Sequence, residues 1–227
     1  MKRYGFLSIA LAAALAVGCS NSHKDVSATN PPAGGAVGTA GSDSVSNGDK
    51  DFVKDMAADS TAEIELGRIA AERAVNPDVK KFAQMMIDDH TKANDELTSL
   101  ASQHSIPVPT ATDDKHTDLR DKLAKLQGPD FDREYINAMV DGHDDVLSKL
   151  RSRVDKDTLD KWKAQTRDAE GKKVEEKVEA VTITPEKSDN AVTMSINEWA
   201  AKTYPVVSAH LDAAKKLQDT VKKRMTN

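Results

Sequence analysis

The sequence predicts an all-α protein, a four-helix bundle with a short crossover helix and an extra charged helical or loop insertion before the last helix. Three observations predict it. Beyond residue 50 the apolar positions recur at i, i+3, i+4 and i+7, the spacing of one helix face. Aromatic residues make up only 4% of 227 residues and charged residues 30%, a balance that disfavours sheet faces and favours helices rich in Ala, Leu, Lys, Asp and Glu. Beyond residue 50 the prolines fall between the periodic stretches, Pro205 excepted.

The chain opens on an apolar leader. Lys2 and Arg3 precede an apolar run, Tyr4 to Val17, that is shorter than the roughly 20 residues needed to span a bilayer, so it reads as an export signal over residues 1–18. The run ends in Ala16-Val17-Gly18-Cys19, which resembles a bacterial lipobox, with Ala16 where leucine is usual. Cys19 is the only cysteine, so it closes no intrachain disulfide and builds no thiolate metal site; lipid attachment is its expected role. Residues 19–47 hold hardly a large apolar side chain and are expected to form a flexible tether of about 30 Å reach, leaving 48–227 for the helical domain. The expected location is the cell envelope, facing the periplasm. Ser20 after the cysteine suggests outer-membrane sorting in a host that has one.

The first helix is expected from about Lys50 to Val75, where Asn76-Pro77 stops it and caps the second, Pro77 to about His104. Ile106-Pro107-Val108-Pro109 is a stiff connector. A shorter amphipathic piece, about Asp113 to Leu126, is the crossover, closed by Gly128-Pro129. The third long helix, about Phe131 to Arg153, has the clearest stripe: Tyr135, Ile136, Met139, Val140, His143, Val146, Leu147 and Leu150. Asp157 to about Val181 is highly charged and reads as helix with a narrow packed face. Thr182–Thr184 and Ala191–Thr193 fit either a small hairpin or an irregular loop. Ser195-Ile196-Asn197-Glu198 has the spacing of a capping box and would start the last helix, about Ile196 to Arg224, with Pro205 kinking it ahead of His210.

The chemistry lies in polar residues placed on apolar stripes. His90, His143 and His210 each sit in mid-stripe on a different long helix, and Glu63 shares a face of the first helix with Leu66, Gly67, Ala70 and Ala74. In a bundle with a long crossover, one inward polar side chain per helix at one level converges on a common point. Three imidazoles and a carboxylate suit one divalent transition ion, Zn²⁺, Fe²⁺, Mn²⁺ or Cu²⁺, with affinity falling as pH drops through about 6.5. Met86 and Met139 lie four residues before His90 and His143 on the same faces, which admits thioether ligation of Cu(I). Asp89 and Asp144 adjoin the histidines and are candidates to support them from outside. The competing reading is a metal-free hydrogen-bonded His/Glu core, with Glu63 alternatively closing a capping box with Ser60. His104 and His116 need no more than solvation.

Phe52, the run Ala62-Glu63-Ile64-Glu65-Leu66-Gly67, Val79 to Ala83, Asp89-His90, Phe131-Asp132 with Tyr135, His143, and Pro205 with Ala209-His210-Leu211 together resemble a bacterial exported family, domain of unknown function 4142, over about Asp51 to Leu217. The resemblance implies a ferritin-like four-helix bundle in the cell envelope, often in stress settings, with no established activity. Ferritin-like di-iron enzymes carry Glu-x-x-His, whereas Ile87, Val140 and Val207 stand three residues before these histidines, so a di-iron oxidase is disfavoured.

Two functions therefore compete: a lipid-anchored envelope bundle that binds one metal ion, for sequestration, stress protection or structure, and a metal-free structural or partner-binding lipoprotein. An enzyme is the third option and the weakest: there is no Gly-rich phosphate loop, no His-Glu-x-x-His and no Ser-His-Asp order. The net charge of −5, −7 once Lys2 and Arg3 are removed, disfavours nucleic acid as a partner and leaves the membrane, through the anchor, as the expected one.

Overall fold

The structure, a computed structural model, describes residues 44–109, 112–167 and 181–225. The expected signal, Cys19, most of the tether and the middle of the charged insertion lie outside them. The described residues form six helices and no strand: α1 Asn47–Arg73, α2 Pro77–Gln103, α3 Asp114–Ala124, α4 Gly128–Arg151, α5 Lys156–Thr166 and α6 Ala191–Met225. Among them no helix is long and apolar enough to cross a membrane.

Short polar residues set most of the helix starts, because their side-chain oxygens take up N–H groups that the first turn leaves unpaired, for about 1 kcal/mol each. Ser46 accepts from Asp49, Asn76 from Asp78, Asp113 from His116 and Asp155 from Thr158. Asn190 does the same for Thr193, at 2.9 Å, and this corrects the expected start of the last helix. Ser195 is already inside α6, its hydroxyl donating to the Ala191 carbonyl at 2.9 Å, so Ser195–Glu198 is not a capping box. Ala191–Thr193 is the first turn of α6, not a strand. Residues 181–190 are an irregular strap, bonded to the end of α4 by Asp155 N–H to Thr184 and Glu186 N–H to Arg153. Gly128-Pro129 opens α4: Gly128 has φ +59°, where the chain turns out of the crossover.

Helix α1 packs along α2 and α4 along α6, and the pairs close through α2 with α6 and α1 with α4, so the four long helices form a ring. A Cβ on Gly67 would lie 3.0 Å from Ile87 Cγ1 and 3.1 Å from the Ala83 carbonyl, so α1 and α2 approach as closely as they do only with glycine there. The short α3 joins the two pairs, and Arg73 at the end of α1 donates to the carbonyls of Leu123, Ala124 and Leu126.

The core has two apolar clusters. One surrounds Phe52, Leu97, Leu150, Ile196 and Trp199; the other surrounds Leu66, Phe82, Met86, Tyr135 and Met139. A buried carboxylate fastens each end. Asp132 accepts from the N–H groups of Val75 and Asn76, at 3.0 and 2.8 Å, in the turn between α1 and α2. Asp49 accepts from Ser46 Oγ and Thr193 Oγ1, both at 2.7 Å, and from Arg153 at 2.5 Å, joining the start of α1 to the start of α6 and the end of α4. Burial works against its charge, but the two hydroxyls and the guanidinium hold its pKa below the usual carboxylate value.

Candidate metal centre

His90 on α2, His143 on α4 and His210 on α6 are 7%, 1% and 3% exposed, far from any helix end. Their ring centroids form a nearly equilateral triangle with sides of 5.6, 5.5 and 5.5 Å. One nitrogen from each lies within 4.8 Å of the other two. An ion with bonds of about 2.05 Å to imidazole nitrogen stands about 3.2 Å from each ring centre, which puts centroids about 5.2 Å apart in tetrahedral and about 5.5 Å apart in trigonal geometry. The triangle of ring centres therefore has the size that three imidazoles take around one ion, and its three nitrogens are close enough to be drawn onto one.

The hydrogen bonds decide which nitrogen faces inward. His143 Nδ1 is 2.8 Å from the Met139 carbonyl, which only accepts, so Nδ1 carries the proton and Nε2 offers a lone pair. His210 Nε2 is 2.8 Å from an Asp89 carboxylate oxygen, so Nδ1 is its free nitrogen. Both of these free nitrogens are buried and make no hydrogen bond within the protein, and the same holds for both nitrogens of His90.

Burial also keeps the rings neutral. It pushes the pKa of His143 down to about 4, against the Met139 carbonyl and Asp144, which favour the cation. His90 is driven well below its ordinary value by burial and by the two neighbouring histidines, and His210 is lowered by burial despite Asp89. The imidazoles are thus ready as ligands below the pH of about 6.5 set by an unperturbed histidine, which corrects the expected pH dependence.

Glu63 does not complete the triangle. Its Oε1 lies 3.5 Å from His143 Nδ1, the nitrogen that already faces the Met139 carbonyl, so the carboxyl stands behind this ring and not among the ligating atoms. The sequence pattern places it at the right level but cannot say from which side it meets the ring. Gly142 makes room: a Cβ there would come within 3.2 Å of Glu63 Oε1. Burial raises the Glu63 pKa to about 8; Asp59 adds to this and His116 opposes it. The contact with His143 is therefore between two neutral groups at neutral pH. Glu63 Oε2 makes no hydrogen bond within the protein.

Other expected positions divide. Asp89 supports His210 directly, although it neighbours His90 in sequence. Asp144 is at the surface, 54% exposed and 3.6 Å from Lys215. Met86 and Met139 pack in the second apolar cluster, and Met139 serves the site through its backbone carbonyl. Two residues gain a part the sequence reading did not give them. The buried Tyr135 hydroxyl has no partner within the protein, and its pKa is raised well above the ordinary value by burial and then by Glu63; its place two turns before His143 on one face was the available signal. His116 is mostly buried, 2.6 Å from Asp113 and 3.6 Å from Asp59, not merely solvated. A cavity of about 30 Å³ beside His90 and His210, bounded by Met56, Trp199 and Val207, has room for a water-sized further ligand.

The sequence model of the family described as domain of unknown function (DUF4142) matches residues 35–170. That span covers α1 to α5 with Glu63, His90 and His143; it ends before α6 and His210, short of the Leu217 expected from the residues. No curated protein matches the chain significantly. A solved structure described as CopM in the Cu(II)-bound form is similar over 75% of this chain and 95% of that one, with 19% identity and a TM-score of 0.49.

Proposed function

The chain belongs to the DUF4142 family, whose description assigns no activity, and we propose from its own residues that it holds one divalent transition-metal ion between His90, His143 and His210 in order to sequester it. The observation that carries this reading is the convergence of inward nitrogens without partners from three helices. A polar network that closed on itself would have paired them, since an unmade buried hydrogen bond costs about 1–3 kcal/mol. Neutral imidazoles favour Zn²⁺, Cu²⁺, Fe²⁺ or Ni²⁺ over oxygen-seeking Mn²⁺ or Mg²⁺, and at a given nitrogen site Cu²⁺ binds most tightly of the divalent series. Asp89 and the Met139 carbonyl hold two of the rings in the required tautomers, and the adjoining cavity leaves a coordination position for an exchangeable ligand.

Elemental analysis after loading and desalting is expected to give one ion per chain, and close to none for His143→Ala. Equal metal content in the two proteins would end this reading.

We place the bundle on the cell envelope, tethered through a lipid on Cys19; the support is the leader, the short apolar run and the cysteine at its end. Labelled palmitate is expected to enter the protein in cells and to be lost in Cys19→Ser. Soluble, unlabelled wild-type protein contradicts the anchor.

A further inference from the structure

A second cavity, of about 640 Å³, opens between α4, α5 and α6, within the range of about 300–1,000 Å³ typical of small-molecule sites. The metal reading makes no use of it. Trp162 and Tyr204 form an aromatic corner in it, their rings 5.9 Å apart and nearly perpendicular at 87°. Leu147 and Leu211 supply further apolar wall.

Among the described residues the charges in this cleft do not balance. Four cations line it, Arg151, Lys163, Arg167 and Lys215, against two carboxylates, Asp144 and Asp212. Both carboxylates are engaged: Asp212 pairs with Arg167, which also donates to Ser208 at 2.5 Å, and Asp144 lies 3.6 Å from Lys215. Asp160, which feels both Arg151 and Lys163, is not part of the lining and is held by Lys156 at 2.8 Å. The Lys163 ammonium sits 5.8 Å over the Tyr204 ring. Burial lowers its pKa and Arg151 lowers it further, which Asp160 only partly offsets. Among the described residues two cations of the lining, Arg151 and Lys163, thus have no carboxylate of the lining against them, on a chain whose net charge is −5.

We propose that the cleft between α4, α5 and α6 binds a small organic anion, its charged group on Arg151 and Lys163 and its apolar body against Trp162 and Tyr204. The chemistry is complementary on both counts. A carboxylate, sulfonate or phosphate group gains charge-assisted hydrogen bonds from the two cations, and a flat apolar body covers the aromatic corner. Neither part of the cleft suffices for the other's role, so ligands bearing only a charge or only an apolar body should bind weakly. This site shares none of the three histidines with the metal centre.

The test is fluorescence titration of the full chain with 1-anilinonaphthalene-8-sulfonate and with its uncharged counterpart, N-phenyl-1-naphthylamine. The sulfonate is expected to bind one per chain, at least tenfold more tightly than the neutral compound. Arg151→Gln/Lys163→Gln should lose that tenfold preference while keeping a melting temperature within a few degrees of wild type, since Arg151 is exposed and Lys163 gives up only its contact with the Tyr204 ring. Trp162→Phe should weaken both compounds, and His143→Ala should change neither. The proposal is overturned if the sulfonate does not bind, if the neutral compound binds as tightly, if the double variant keeps the preference, or if His143→Ala abolishes binding.

Discussion

Replacing His90 with leucine is expected to stabilise the metal-free protein and to abolish its tight metal binding. The two effects have one cause. Both nitrogens of His90 are buried and make no hydrogen bond within the protein, so without an ion the fold carries their desolvation cost, about 1–3 kcal/mol for each unmade bond. Leucine has a similar volume and nothing to satisfy, as when buried polar groups are replaced by apolar ones of the same shape. The cavity beside His90 has room for a water that meets one of the two nitrogens, so denaturation in the presence of a chelator should show a gain of about 1–3 kcal/mol, the cost of one unmade bond. For the metal, losing one of three protein ligands removes a large share of a binding free energy of order 10 kcal/mol, a loss of at least a hundredfold to a thousandfold in affinity. The ion should raise the melting temperature of wild type and leave that of His90→Leu unmoved, because only a ligand bound to the folded state stabilises it. If His90→Leu is destabilised like an ordinary core truncation and still binds the ion, His90 is a packing residue and the centre is wrongly assigned.

The second large effect is one of pH, and it isolates Glu63. Its folded pKa of about 8 lies above its ordinary value of 4.5, so between those limits the folded state binds more protons than the unfolded one, and stability falls as pH rises. Integrated over that interval the loss is about 5 kcal/mol. His143 acts in the opposite sense: with a folded pKa of about 4 against an ordinary 6.5, it adds stability as pH rises from 4 to 6.5, and His90 and His210 contribute in the same direction. The metal-free protein should consequently be most stable near pH 6.5, with an alkaline arm due to Glu63. Glu63→Gln is expected to flatten the alkaline arm above pH 6.5 and, because Glu63 opposes the histidines between pH 4.5 and 6.5, to steepen the acid arm there. A bound divalent ion favours the Glu63 carboxylate, so metal uptake at pH 7 should release about one proton, which comes from Glu63 and not from the already neutral imidazoles. Calorimetry in buffers of different ionisation enthalpy reads that proton. Unchanged release in Glu63→Gln would show that it comes from elsewhere.

The helices and the level at which their polar residues meet were legible because both follow from periodicity, and periodicity depends only on the backbone. His90, His143 and His210 each occupy a position where an apolar residue fits the stripe, and that substitution is visible in the sequence. What periodicity lacks is azimuth between helices. It could not reveal that Glu63 approaches His143 from the side already bonded to Met139, or that Asp89 reaches across to His210 instead of serving its neighbour His90. The start of α6 differs from the Ser195 spacing for another reason: Asn190 accepts from Thr193 at the end of a strap that is bonded to Arg153 and Asp155, and that tertiary setting has no local signature. The cleft beside Trp162 has no signature in the sequence because its cations come from three separate helices, and no local spacing joins them.

The fastener at Asp49 also decides how the domain bears a mechanical load. Chain tension that arrives at residue 44 meets, within a few residues, a carboxylate tied to Thr193 and Arg153, while the Ser44 carbonyl accepts from the Asn190 side chain at 3.1 Å. A pull from the N-terminal side is therefore shared at once among the start of α1, the start of α6 and the end of α4, instead of peeling α1 away one turn at a time. A group of bonds loaded together withstands more force than the same bonds broken in sequence. The histidine triangle, several helical turns further in, is thereby insulated from whatever pulls on the end of the chain.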